Sequence, residues 1–189
     1  MKHPEYFNER SLLEIRASLP VTATAADSEE DGVFLQPIPL TGNFFSDSHR
    51  KTIDAVQMQL FPDDGNGPSA RDLNALPYLE WAMIDPVNLG DGDPSFLANG
   101  AELLNRLSYA VRGSGFAELQ EDAQNELLHQ LAGSKTGENW LSLLMFYLTE
   151  ALALDPYYGG NPDMVGWLWL EHRPGFPRPV AGKSYRDFE

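Results

Sequence analysis

The stretch that most constrains this chain is residues 140–154, Trp-Leu-Ser-Leu-Leu-Met-Phe-Tyr-Leu-Thr-Glu-Ala-Leu-Ala-Leu. It is apolar nearly all round a helix. A helix without a broad polar face must be surrounded, so the chain has to build a bundle about it. A membrane span needs roughly 20 mostly apolar residues. This segment is shorter and carries Ser142, Thr149 and Glu150.

It runs directly into Asp155-Pro156-Tyr157-Tyr158-Gly159-Gly160-Asn161-Pro162-Asp163-Met164-Val165-Gly166-Trp167. Pro156 ends the helix, because the residue before a proline is pushed out of the α region. Gly159 and Gly160 open backbone angles closed to other residues. Tyr157, Tyr158, Trp167 and Trp169 supply large amphipathic surfaces of the kind favoured at interfaces. The block therefore reads as a rigid aromatic loop fixed to a buried helix. Tyr157, Tyr158, Gly159, Gly160, Asn161, Trp167 and Trp169 form the candidate partner surface. Asp155 and Pro156 support it. Glu150, a carboxylate within the apolar helix, needs a partner or a proton if buried. It either holds the loop or marks an exposed stripe.

The remaining pattern is helical. Ile53, Val56, Gln57 and Leu60 share one face of a helix that starts after Ser46 or Asp47. A second helix is predicted over 69–84, with Pro77 kinking it or dividing it in two. Residues 85–93 read as a Gly/Asp loop. Asp93-Pro94 then reads as an N-cap followed by Pro at the first helical position. That third helix runs to Arg112 and stops at Gly113. A fourth is expected over 116–131, and a fifth over 137–154 capped by Thr136. The fold class is all-α, a single domain of about five helices, with short connections favouring antiparallel neighbours. Residues 1–43 form a separate N-terminal part. Within it 5–19 is amphipathic, and 33–40 is an extended, proline-bearing arm suited to lie along this domain or a partner, with a poorly ordered tail as the alternative. The domain itself is 44–189, ending in a long irregular, proline-rich tail.

Thirteen Lys and Arg against 28 Asp and Glu leave a net charge of −15. That balance argues against nucleic acid, whose phosphates need basic side chains, and against electrostatic docking on anionic lipid. With no cysteine, thiolate catalysis, Fe–S clusters and c-type haem attachment in this chain are excluded. His129 has Gly133 at i+4 and makes no helical metal pair. Counting from Asp63, an EF-hand loop would need ligands at Gly65 and Asn74, so the acidic loops read as Asx turns. Gly113-Ser114-Gly115 lies between helices, not after a strand, and is no dinucleotide cradle. No catalytic residue and no metal site is predicted, and no cofactor is expected in this chain.

The 155–167 block resembles the C-terminal signature of the gluconate 2-dehydrogenase subunit 3 family. A second similarity is Phe44-Phe45-Ser46, an apolar-periodic run, and then Leu60-Phe61-Pro62-Asp63-Asp64-Gly65-Asn66-Gly67-Pro68. Together they bracket residues 44–177. The resemblance implies a non-catalytic small subunit that binds and stabilises a large FAD-dependent dehydrogenase of sugars, sugar acids or polyols. FAD would sit in that partner, and haem in a cytochrome c third subunit where one exists. It also implies the periplasmic side of the cytoplasmic membrane. Family members commonly carry a twin-arginine signal, whereas Arg10 and Arg16 stand apart here, which leaves a cytoplasmic location as the alternative. Two other functions fit the residues: a stand-alone carbohydrate-binding protein or enzyme using the aromatic loop, and an assembly or export chaperone of the flavoprotein.

Overall fold

A computed structural model describes residues 44–175 together with Arg178 and Val180. The amphipathic segment and arm expected within 1–43 lie outside these. Among the described residues the regular structure is helical. The helices are α1 (Asp47–Leu60), α2 (Ala75–Ala82), α3 (Pro86–Asp91), α4 (Asp93–Arg112), α5 (Glu121–Ala132), α6 (Lys135–Ala153) and α7 (Val165–Trp169). Single 3-10 turns occupy Phe116–Glu118, Pro156–Tyr158 and Pro162–Met164.

α6 is the central helix that its composition demands. It packs against α1, α2, α4, α5 and α7. Trp140, Leu143, Leu144, Tyr147, Leu148, Glu150 and Ala151 are all buried. Beyond its exposed first turn, only a narrow line through Ser142, Met145 and Thr149 is exposed. The largest core side chain, Trp140, also donates its indole N–H to the Leu97 carbonyl on α4 at 3.1 Å. That bond supplies the partner a buried indole requires. α1 begins as expected, with the Ser46 hydroxyl accepting from the His49 amide at 3.2 Å and Ile53 and Val56 buried.

Five details differ from the sequence expectation. The helix predicted over 69–84 starts only at Ala75. Asp72 accepts from both the amide and the hydroxyl of Ser69, at 2.8 and 2.6 Å, which closes a turn instead. Pro77 then sits in the first turn of α2, where its missing N–H leaves no bond unmade, so it kinks nothing. The region read as a Gly/Asp loop contains α3, capped by the Asp85 carboxylate accepting from Val87 N at 2.8 Å, with Pro86 at its first turn. Asp93 is not a cap. Gly92 takes that position at φ 85°, and the Asp93 side chain turns into the core. The fourth predicted helix divides into the 3-10 turn and α5, and α6 is capped by Ser134 through Gly137 N at 3.0 Å, not by Thr136.

No helix among the described residues is long and apolar enough to cross a membrane.

Candidate functional site

The chain leaves α6 at Leu154 and folds into a loop locked to the bundle by polar bonds and close contacts. Asp155 caps the first turn, accepting from Tyr157 N at 2.9 Å. The same carboxylate takes two bonds from the Arg178 guanidinium, at 2.8 and 3.1 Å. Paired bonds of this kind fix direction as well as adding charge. The Arg178 guanidinium also lies over the Trp167 ring, 5.3 Å from its centre, a cation–π geometry. Pro156 occupies the first position of the turn, as its fixed φ suits.

Asn161 is the centre of the loop. It is fully buried and left-handed at φ 49°. Its amide N donates to the Leu73 carbonyl at 3.1 Å. Its side chain donates to the Leu154 carbonyl at 3.2 Å and accepts from Gly166 N at 2.7 Å. One side chain thus ties the end of α6 to the start of α7. Across from it Asn74, also left-handed at φ 58°, donates to the Gly159 carbonyl at 3.0 Å. Asparagine tolerates this conformation better than most residues.

The two adjacent glycines serve different ends. Gly159 adopts φ 92° and closes the 3-10 turn. Gly160 provides clearance: a Cβ there would lie 2.8 Å from the Ala151 Cα and carbonyl oxygen on α6. Gly166 is similarly pressed on the Leu152 carbonyl, at 2.5 Å from where its Cβ would be. Asp163 and Met164 are left-handed as well, at φ 52° and 61°. Left-handed geometry in non-glycine residues is costly and collects where the surroundings enforce it, often at functional sites.

The structure separates the predicted aromatic residues. Tyr158 and Trp167 are buried. Tyr158 packs 5.9 Å from the Trp81 ring and 5.2 Å from the Tyr157 ring, and the Trp167 indole donates to the Ala153 carbonyl at 2.8 Å. These two, with Asn161 and Gly160, frame the loop from within. Tyr157 is half-buried, and burial raises the pKa of its phenol. Trp169 is the predicted aromatic that faces outward. Its ring edge meets Phe61 at 5.9 Å and 83°, and its N–H donates to the Asn66 carbonyl. The loop after α1 is thereby joined to α7. Asp63 and Asp64 accept from Gly65 N and Asn66 N, at 3.2 and 2.9 Å, the Asx turns expected there. Around Trp169, Leu168 and Leu170 are 72% and 46% exposed.

Glu150 is 1% exposed, so it does not belong to the open line of α6. Its carboxylate accepts from the Tyr78 hydroxyl on α2 at 2.7 Å. Close by, Tyr147 donates to Asp93 at 2.7 Å. Burial, then the Asp93 charge, raises the pKa of the Tyr147 phenol. Burial raises that of Asp93, against the lowering effect of the Tyr147 bond. These carboxylates join α6 to α2 and α4, the helices beneath the loop. No group of three or more His, Cys, Asp or Glu among the described residues is placed to hold a metal. His172 rests against the Trp167 ring at 5.3 Å.

Asn74, Leu168, Leu170 and Arg178 are the site residues that sequence reasoning missed. Four successive apolar residues, 167–170, were the available signal for two of them, since a helix this short cannot turn all four inward. Asn74 and Arg178 act across 85 and 23 positions of chain, which no local pattern reports.

A sequence model of the gluconate 2-dehydrogenase subunit 3 family matches residues 47–175, more than half of the chain. Searches of curated proteins and of solved structures returned no match. The chain belongs to the gluconate 2-dehydrogenase subunit 3 family, and its expected place is in a dehydrogenase complex with a partner subunit.

Proposed function

We propose that this chain is the non-catalytic small subunit of an FAD-dependent dehydrogenase, and that it binds and stabilises the large flavoprotein through the tip formed by Leu168, Trp169 and Leu170. The observation that carries this reading is the contrast within 155–170. A strained loop is anchored to the core, yet its last turn presents three consecutive apolar residues to solvent. Exposed apolar patches on a rigid support mark interaction sites, and a partner bound to the folded state stabilises it by mass action. FAD belongs in this reading to the large subunit, which oxidises a sugar, sugar acid or polyol. A cytochrome c subunit would take the electrons.

Co-expression with the flavoprotein subunit tests this. The wild-type chain should co-purify with a yellow, stoichiometric partner. Leu168→Asp combined with Leu170→Asp should reduce recovered flavin at least ten-fold, while the isolated variant keeps its helical circular dichroism. Undiminished flavin recovery by that variant would remove the tip from the interface. A colourless monomer in every co-expression would favour direct carbohydrate binding instead.

A further inference from the structure

α7 has five residues, and a helix this short does not hold its own shape without packing. Its start is fixed to α6, where Gly166 presses on the Leu152 carbonyl and the Trp167 indole bonds the Ala153 carbonyl. Its end, with the exposed Leu168 and Leu170, rests on the loop after α1. That loop is closed at its base, where the Ala70 amide donates to the Phe61 carbonyl at 2.9 Å. Inside it, Gly67 faces the Trp169 ring. A Cβ on Gly67 would stand 2.6 Å from both Cε2 and Nε1 of the indole and 3.1 Å from Cδ1. Gly67 is not left-handed, so its own backbone does not call for glycine. The ring excludes a side chain there. Gly65 is the opposite case, at φ 77° with nothing within 4 Å of where its Cβ would be.

We propose that Gly67 and Trp169 are positioning residues of the docking tip. The indole is a strut, clamped among the Phe61 ring, the Asn66 carbonyl and Gly67, and it sets how Leu168 and Leu170 meet the partner. This inference rests on the reading of the tip as the interface. Trp169 lies between the two leucines, so displacing its ring shifts the backbone that carries both. The same stretch of chain grips the other end of the aromatic loop. The Leu73 carbonyl accepts from the Asn161 amide at 3.1 Å, and the Asn74 side chain donates to the Gly159 carbonyl at 3.0 Å. Residues 61–74 therefore hold 159–170 at both ends.

A methyl on Gly67 would meet a side chain, whereas one on Gly160 would meet α6 backbone. The Trp169 ring can swing outward, so the fold survives and the strut does not. Binding then weakens because the tip must be ordered as the partner docks.

The four tryptophans each give a signal in fluorine NMR of the fluorotryptophan-labelled full chain, and Trp169→Phe identifies that of Trp169. In the isolated chain, Gly67→Ala should move the Trp169 signal alone. Its difference between light and heavy water should grow about two-fold or more as the ring enters solvent, with helical circular dichroism and the urea midpoint kept. In co-expression, Gly67→Ala should lower recovered flavin about five-fold, the scale of ordering one or two side chains on binding. Added to Trp169→Phe, whose smaller ring leaves room for the methyl, it should lower recovery no further, the non-additivity expected of residues in contact. Gly90→Ala, on α3 where a Cβ would meet nothing within 4 Å, should change neither readout. An unmoved Trp169 signal would overturn the strut. Equal losses of flavin with and without Trp169→Phe would overturn it too, since they would mark a general disturbance of the loop. A moved signal with undiminished flavin would overturn the positioning role. If Leu168→Asp with Leu170→Asp also kept its flavin, the error would lie in the tip as interface, and the signal from the isolated chain would still decide the strut.

Discussion

The helical bundle and the loop that follows it are held by opposite means. In the bundle, Trp140, Leu144 and Tyr147 fill space, and the order of the helices matters more than any single bond. In the loop, Gly160 and Gly166 leave space empty, and Asn161, Asn74 and Asp155 fix the backbone by directed hydrogen bonds. The bundle should suffer when atoms are removed. The loop should suffer when a single methyl is added. Packing tolerates exchange among apolar residues of like volume, whereas a left-handed, close-packed turn admits few side chains.

The largest effect is expected at the bundle's centre. Trp140→Ala should lower stability by about 4 kcal/mol, combining lost burial, a cavity and the lost indole bond to the Leu97 carbonyl, measured by urea unfolding. Gly160→Ala comes next, at roughly 3 kcal/mol, because its methyl meets α6 backbone that cannot rotate away. If Gly160→Ala proved neutral, the division between the two regions would not hold. Asn161→Ala should cost about 2 kcal/mol, since it strips two bonds from buried backbone groups and leaves alanine in left-handed geometry.

A pH experiment sharpens the contrast from the bundle side. Burial raises the folded-state pKa of Asp93 above its ordinary 3.8. A carboxyl raised on folding contributes most below the unfolded value, and that contribution is lost as pH rises through the folded value. The thermal midpoint of the wild type should therefore carry a component that falls with pH from about 4 upward. Asp93→Asn, which keeps an acceptor for Tyr147, should flatten it, and an unchanged slope would show that Asp93 is not its source. The smallest effect should come from the exposed Arg71–Asp54 pair, 2.7 Å apart. Arg71→Ala should cost about 0.5 kcal/mol or less, since solvent screens such pairs.

The regions also differed in how far they could be read in the sequence. α1, α4 and α6 were legible because their apolar spacing is strong and their ends carry Ser46, Gly113 and Pro156. α3 was passed over although Asp85-Pro86 has the same cap-and-proline form read at Asp93-Pro94. Glycine and aspartate nearby suggested a loop and hid it. In the candidate site the anchoring residues were recognised by type, but not the direction each would face. Tyr158 and Trp167 looked as suitable for a partner as Trp169 does.

The sequence by itself determined the family, the all-α class, the central place of α6 and the presence of a rigid loop after Pro156. These follow from local periodicity and from the fixed backbone preferences of proline and glycine. Only the tertiary structure decided that Asn161 reaches the Leu73 carbonyl, that Arg178 returns to Asp155, and that Glu150 pairs with Tyr78. It also decided that Leu168, Trp169 and Leu170 are left facing water. Local pattern depends on neighbours in the chain. Burial and hydrogen-bond choice depend on which distant segments the bundle brings alongside.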